Sequence, residues 1–204
     1  MTIIIDGTGT ITGATTLAST VASPTFTTPA LGTPASGVLT NCSGYPAITS
    51  GTAQASTSGT SIDFTGIPTT AKRVTVMLNG VSISGTSIVL IQIGTGSGIE
   101  ITGYVGQIIY VNGGAPGNQS FSSGVQLYGT GASAAILNSG AVVFTLVSGN
   151  IWVLQGAVAS EATSANNFVA GRKTLAGVLD RVRITTVNGT DTFDAGSINI
   201  LYES

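Results

Sequence analysis

Between residues 60 and 204, apolar and polar positions alternate in short runs separated by turn residues. In RVTVMLNGVSI (73–83), Val74, Val76 and Leu78, then Val81 and Ile83, keep a period of two on either side of Asn79-Gly80. That pattern fits a hairpin or a bulged strand. SIVLIQIG (87–94) and IEITGYVGQIIYV (99–111) are rich in β-branched and aromatic residues, and the TGSG between them supplies a turn. AVVFTLV (141–147) and IWVLQGAV (151–158) flank Ser148-Gly149-Asn150, the spacing of a short hairpin in which Trp152 belongs to the core. VLDRVRITTV (178–187) alternates Leu179, Arg181 and Arg183 against Val178, Asp180, Val182 and Ile184, and after Asn188-Gly189 the chain closes with a last strand in SINILYES. EATSANNFVAGRKTL (161–175) has apolar spacing that suits one helical turn or a loop, and reads as a loop.

Eight to ten short strands joined by loops rich in Gly, Ser, Asn and Thr predict an all-β fold. The expected form is an antiparallel β-sandwich of jelly-roll type rather than any βαβ arrangement.

The first third of the chain breaks this pattern. In TTLASTVASPTFTTPALGTPASGVLTNCSGYP, Pro24, Pro29, Pro34 and Pro46 each remove a backbone donor and fix φ, which disfavours helices and central strands. Of 14 charged residues only Asp6 precedes residue 60, so composition also changes there. The predicted organisation is an extended segment over residues 1–55 and a sandwich over 56–204. Sparse apolar residues in that segment cannot offset about 1–2 kcal/mol of backbone entropy per residue in a single copy. Three copies wound together would bring Phe26, Leu31, Val38 and Leu39 onto a shared axis, where small neighbours allow close approach. A homotrimer is therefore expected, with a disordered tail as the alternative.

Charge narrows the chemistry further. Only 7% of the 204 residues are charged and the net charge is −2, the opposite of what phosphate-backbone binding requires, so nucleic acid is not an expected partner. A surface covered by Thr, Ser, Asn, Gly and Gln suits a part that is buried between identical subunits. No run of about 18 apolar residues exists, so membrane insertion by a helix is not expected. MTIIIDGTGTITG lacks a basic stretch and a long apolar core, and does not read as a secretory signal. The single Cys42 has no internal disulfide partner.

With no histidine, the usual general base near neutral pH and the commonest metal ligand are both missing, and neither a catalytic site, a metal nor a cofactor is expected. Gly94-Thr95-Gly96-Ser97-Gly98 opens no helix and reads as a turn. Asp191 and Asp194 in TDTFDAG either cap their own turn or hold a calcium ion, with turn capping favoured. Arg172-Lys173 and Arg181/Arg183 are expected to pair with Asp180, Asp191 or Asp194, and a carboxylated sugar is their other conceivable partner. Tyr104, Tyr110 and Tyr128 are the candidate receptor contacts, since exposed aromatic faces stack on sugar rings.

PTFTTPALGTPASGVLTNCSGYP (24–46) resembles a phrase of the shafts and head-proximal parts of tailed-bacteriophage fibre proteins, T-P-x-L-G-T-P-x-S-G-x-L-T-N-C-x-G-x-P. SGTSIDFTGIPTTAKRVTVMLNGVSISGTS (58–87) and FDAGSINILYES (193–204) are similar to the C-terminal β domain of phage tail-fibre and capsid-fibre proteins. The resemblance implies a structural virion appendage, assembled in the host cytoplasm, whose N-terminal segment docks into another virion protein. Ile3, Ile4 and Ile5 would then add to a sheet edge of that partner. It further implies a short trimeric fibre on tail or capsid that adheres to host cell-surface glycans. The alternatives are a decoration protein without receptor binding and, further off, a polysaccharide depolymerase. A segment of about 50 residues reaches at most about 170 Å, so the appendage is short.

Overall fold

The computed structural model describes residues 48–129, 133–161 and 165–204. They fall within a compact unit running from Gly44 to Ser204. The docking residues Ile3, Ile4 and Ile5 and the axis residues Phe26, Leu31, Val38 and Leu39 lie outside the described residues, as does Cys42.

Fourteen strands follow in order: β1 (Ile48–Ser50), β2 (Gln54–Ala55), β3 (Ser61–Thr65), β4 (Arg73–Ile83), β5 (Val89–Thr95), β6 (Gly98–Ile99) and β7 (Tyr104–Asn112). After these come β8 (Ala115–Phe121), β9 (Val125–Gln126), β10 (Asn138–Ser148), β11 (Ile151–Ser160), β12 (Ala165–Thr174), β13 (Leu179–Thr186) and β14 (Phe193–Glu203). No α-helix occurs among the described residues. All pairings are antiparallel and make two sheets. Nine strands form one, in the order β1-β14-β4-β10-β11-β12-β7-β8 with β2 also on β14. Five form the other, in the order β3-β13-β5-β6 with β9 on β5.

The alternation read from the sequence buries one face of each sheet. Val74, Val76, Val142, Phe144, Leu154, Ile198 and Ile200 from the larger sheet and Ile62, Ile91, Ile93, Val182 and Ile184 from the smaller belong to a single apolar cluster. Each such side chain contributes roughly 1.5–3 kcal/mol on leaving water, which lets the domain cohere without a disulfide or metal. The β10–β11 hairpin forms where expected, with Leu146 opposite Trp152 and Gly149 at φ 52 in its two-residue loop.

Of the two forms that Asn79-Gly80 allowed, hairpin or bulged strand, the structure has the bulge: four β4 residues, Leu78 to Val81, span three on β10, Asn138 to Gly140, and Gly80 takes φ 59. Three sequence readings need correction. Residues 99–111 are not one strand, because the chain leaves the smaller sheet after Ile99 and enters the larger at Tyr104. Leu179 does not share a face with Arg181 and Arg183. A bulge between Leu179 and Arg181 turns Leu179 to the same buried side as Val182 and Ile184. The segment read as a loop holds β12, a ten-residue central strand between β11 and β7.

The sandwich also begins earlier than residue 56. Ile48–Ser50 pair with Leu201–Glu203, and Gln54-Ala55 with Ser197-Ile198, so both short strands of residues 48–55 extend the larger sheet.

Candidate interaction face

The outer face of the nine-stranded sheet follows from strand parity. On β7 the buried positions are Tyr104 and Ile108, which sends Val105, Gln107 and Ile109 outward; on β12, Asn167, Val169 and Lys173 go inward and Phe168, Ala170 and Arg172 outward. Registers align these positions into rows across the strands. One row runs Met77–Ala141–Ala157–Phe168–Ile109, from β4 through β10, β11 and β12 to β7, and is apolar throughout. The next runs Thr75–Val143–Gln155–Ala170–Gln107 and carries no charge. The third, Arg73–Thr145–Val153–Arg172–Val105, has one cation at each end of its central pair of small residues.

Phe168 and Ile109 stand directly opposite each other, and each keeps 55% of its surface exposed. A lone exposed apolar residue on a monomer needs no account, but a contiguous set does. Two shallow depressions border Ile109. One, of about 320 Å³, lies over Gly106, Gln107, Phe168 and Ala170. The other, of about 500 Å³, lies over Gln107, Pro116, Gly117 and Asn118.

The residues singled out for receptor contact lie elsewhere. Tyr104 is 2% exposed, and its hydroxyl accepts from the Ile93 N–H at 2.7 Å and lies 3.0 Å from the Glu100 carbonyl; burial pushes the phenol well above its ordinary pKa. Tyr128 is buried, which likewise raises its pKa. The ring of Tyr110 lies against Gly117 and Gly129, where a Cβ would run into it. Tyr104 and Tyr128 are buried in the packing, and Tyr110 is half-buried with its ring against these two glycines. Phe168, the exposed aromatic of this face, was hidden by its place in a segment that carries Asn167 and Lys173 at inward positions.

The basic cluster read from 172–183 is divided among separate partners. Arg183 meets Asp63 through two hydrogen bonds, both 2.7 Å, and this carboxylate raises its pKa. Arg181 pairs with Asp180, and Lys173 with Glu100. Of the acids proposed as partners only Asp180 serves, because Asp191 and Asp194 lie beyond the end of β13. Arg172 makes no ion pair among the described residues and lies on the outer face.

Asp191 caps its loop. Its Oδ2 accepts from the Ser87 N–H at 2.9 Å and its Oδ1 from Asn188 Nδ2 at 2.7 Å; the Asn188 bond, then the Ser87 bond, hold its pKa below the usual carboxylate range. Asp194 is exposed, in a bulge between Phe193 and Ala195. No group of three or more His, Cys, Asp or Glu side chains able to hold a metal occurs among the described residues.

A cleft of about 460 Å³ lies between the β1–β2 link, β3 and β14. Its polar groups already serve one another: Gln54 Nε2 donates to the Asp63 carbonyl at 2.8 Å, and the Asp63 carboxylate is held by Arg183. Comparison with protein-family models, with curated proteins and with solved structures returns no match.

Proposed function

We propose that this chain is a structural, non-catalytic component of a tailed-bacteriophage virion. It would be a short homotrimeric appendage, anchored through its N-terminal segment in another virion protein and displaying a jelly-roll-like β head on tail or capsid. The observation that carries this reading is the outer face of the nine-stranded sheet, where the row from Met77 to Ile109 has no polar side chain and the row beside it carries no charge. A surface of that kind is satisfied by burial in an assembly. The scarcity of charge in the whole chain and the fibre-like phrase at residues 24–46 agree with it.

Within that reading, a decoration protein that binds no receptor is favoured over a glycan adhesin. The burial of Tyr104 and Tyr128 and the packing of the half-buried Tyr110 ring against two glycines support this preference.

Light scattering on the full chain tests the assembly: three copies of a 20.2 kDa chain give about 61 kDa, and a mass near 20 kDa at every concentration contradicts it. An antibody against the β domain, imaged on intact particles, tests the virion location.

A further inference from the structure

We infer that the outer face of the larger sheet, where β12 and β7 lie side by side, is the surface on which copies of this chain pack against one another, with Phe168 and Ile109 at its centre. The inference rests on the homotypic assembly proposed above and adds to it the face that makes the contact.

Area is the first argument. From β4 to β7 the face crosses four strand spacings, and including β8 five, or about 24 Å at ~4.8 Å each; along β7 the rows from Val105 to Val111 add about 20 Å. The product is about 480 Å² per copy, so a pair buries on the order of 1,000 Å², the size at which a specific protein–protein contact becomes credible.

Charge is the second. Arg73 stands at the far end of its row, 3.1 Å from Glu203 on the neighbouring strand, so that pair is neutral by itself. Arg172 is then the single charge near the centre of the rows. With two neighbouring rows uncharged and one cation beside them, a strongly charged partner finds little to hold, and the complementary surface must be nearly as neutral as this one. The chain itself, with 7% charged residues, supplies such a surface.

Relief is the third. Phe168 projects beside a depression of about 320 Å³, several times the bulk of its own ring. A projection and a recess thus occur on one face, which is what a surface needs to receive a copy of itself about a symmetry axis.

The test uses the full chain as wild type, Phe168→Asp and, as a control on an apolar residue exposed elsewhere, Val187→Asp. Light scattering reads the mass, near-UV dichroism of Trp152 reads the fold, and hydroxyl-radical labelling of wild type reads Phe168 in dilute and concentrated samples. The expected result is a wild type and Val187→Asp that assemble alike, a Phe168→Asp that stays near 20 kDa at 100-fold higher concentration, and labelling of Phe168 that falls at least threefold on assembly. If Phe168→Asp loses the Trp152 signal, the labelling of wild type decides alone. An assembled wild type whose Phe168 is labelled as fast as in dilute protein overturns this face, whether the face is empty or kept for another protein, and leaves homotypic assembly standing. A wild type that never exceeds the single-chain mass overturns the assembly and this face together.

Discussion

Lys173 Nζ lies 2.5 Å from Glu100 Oε2, an ion pair that ties the central strand β12 to the connection by which the chain passes from the smaller sheet to the larger. The ammonium is buried, on the inner face of β12, and lies 5.5 Å from the centre of the Tyr104 ring. Glu100 serves three partners at once. Its second oxygen accepts from the Ala176 N–H at 2.7 Å, and its carbonyl is 3.0 Å from the Tyr104 hydroxyl. The carboxylate therefore ties β12 and the turn after it to the crossover, and the main-chain carbonyl of the same residue ties in the start of β7.

Removing that carboxylate leaves a buried cation unmatched. Glu100→Gln is expected to cost about 3 kcal/mol, while the double variant Glu100→Gln/Lys173→Met, which removes the cation as well, costs less than the single change. Urea denaturation of the three proteins at neutral pH checks the order.

Acid acts on the same pair. Burial pushes the Glu100 carboxyl up, but the Lys173 hydrogen bond, the Ala176 N–H and the Lys173 charge outweigh it and hold the group below its ordinary value of 4.5. The folded state then binds this proton more weakly than the unfolded chain. The contribution is complete above about pH 4.5 and is lost as pH falls through the folded value. The stability gap between wild type and Glu100→Gln should shrink as pH is lowered from 5 to 3, and a gap that widens refutes the pairing.

The strands whose apolar residues form the core were legible, and those that carry polar residues inward were not. β4, β10, β11 and β14 keep an alternation because Val, Ile, Leu, Phe and Trp occupy most of their buried positions, and β5 reads as a strand because its run of Val, Leu and Ile is buried on both faces. β12 defeats pattern reading because Asn167 and Lys173 point inward while Phe168 points out. Its inward asparagine is satisfied by specific bonds, from Nδ2 to the Val158 carbonyl and to Ser160 Oγ, both 3.1 Å. No periodicity in the sequence announces such bonds. The Leu179 error has the same kind of cause, since a bulge shifts parity by one residue and leaves no compositional trace. The interaction face was missed with β12, because it exists only once that strand is placed between β11 and β7.

Facing irregularities in β4 and β14 should respond unequally to substitution. Gly196 takes φ 93, and a Cβ there would run into the Gly80 carbonyl; Gly80 takes φ 59 with open space around it. Gly80→Ala meets only the left-handed backbone penalty and should cost about 1–2 kcal/mol. Gly196→Ala adds a clash with main chain and should cost about 3 kcal/mol or more. Thermal denaturation of the two variants measures the difference.

Asn112 should be the first asparagine to lose its amide. Three Asn-Gly pairs occur in the β domain, and the reaction needs the glycine nitrogen to attack the side-chain amide carbon, releasing ammonia and leaving a succinimide that water opens to Asp or isoAsp. Gly80 N–H is engaged by Ser139 Oγ at 3.0 Å, and the Asn188 amide is held by Asp191 while Gly189 N–H bonds the Thr186 carbonyl. Asn112 stands at the β7–β8 hairpin before Gly113 and Gly114, both with positive φ, and its side chain makes no hydrogen bond among the described residues. Peptide mass spectrometry of protein aged at pH 8 should find the one-dalton gain at Asn112 well before Asn79 or Asn188.

Asp191 separates turn capping from calcium binding. Both of its oxygens are already engaged, by Ser87 N–H and Asn188 Nδ2, and Asn188 Oδ1 in turn accepts from the N–H groups of Thr190 and Asp191 at 3.1 and 3.2 Å. The carboxylate also lies against Gly85, where a Cβ would strike it, so the loop has closed around the side chain itself. A cation would have to displace these bonds and recruit Asp194, which sits in a bulge of β14 rather than in this loop. Asp191→Ala should therefore lower the melting temperature through the lost caps, and millimolar calcium or a chelator should leave the melting temperature of the wild type unchanged. A rise of several degrees with calcium that disappears in Asp191→Ala would show instead that the loop opens to take the ion.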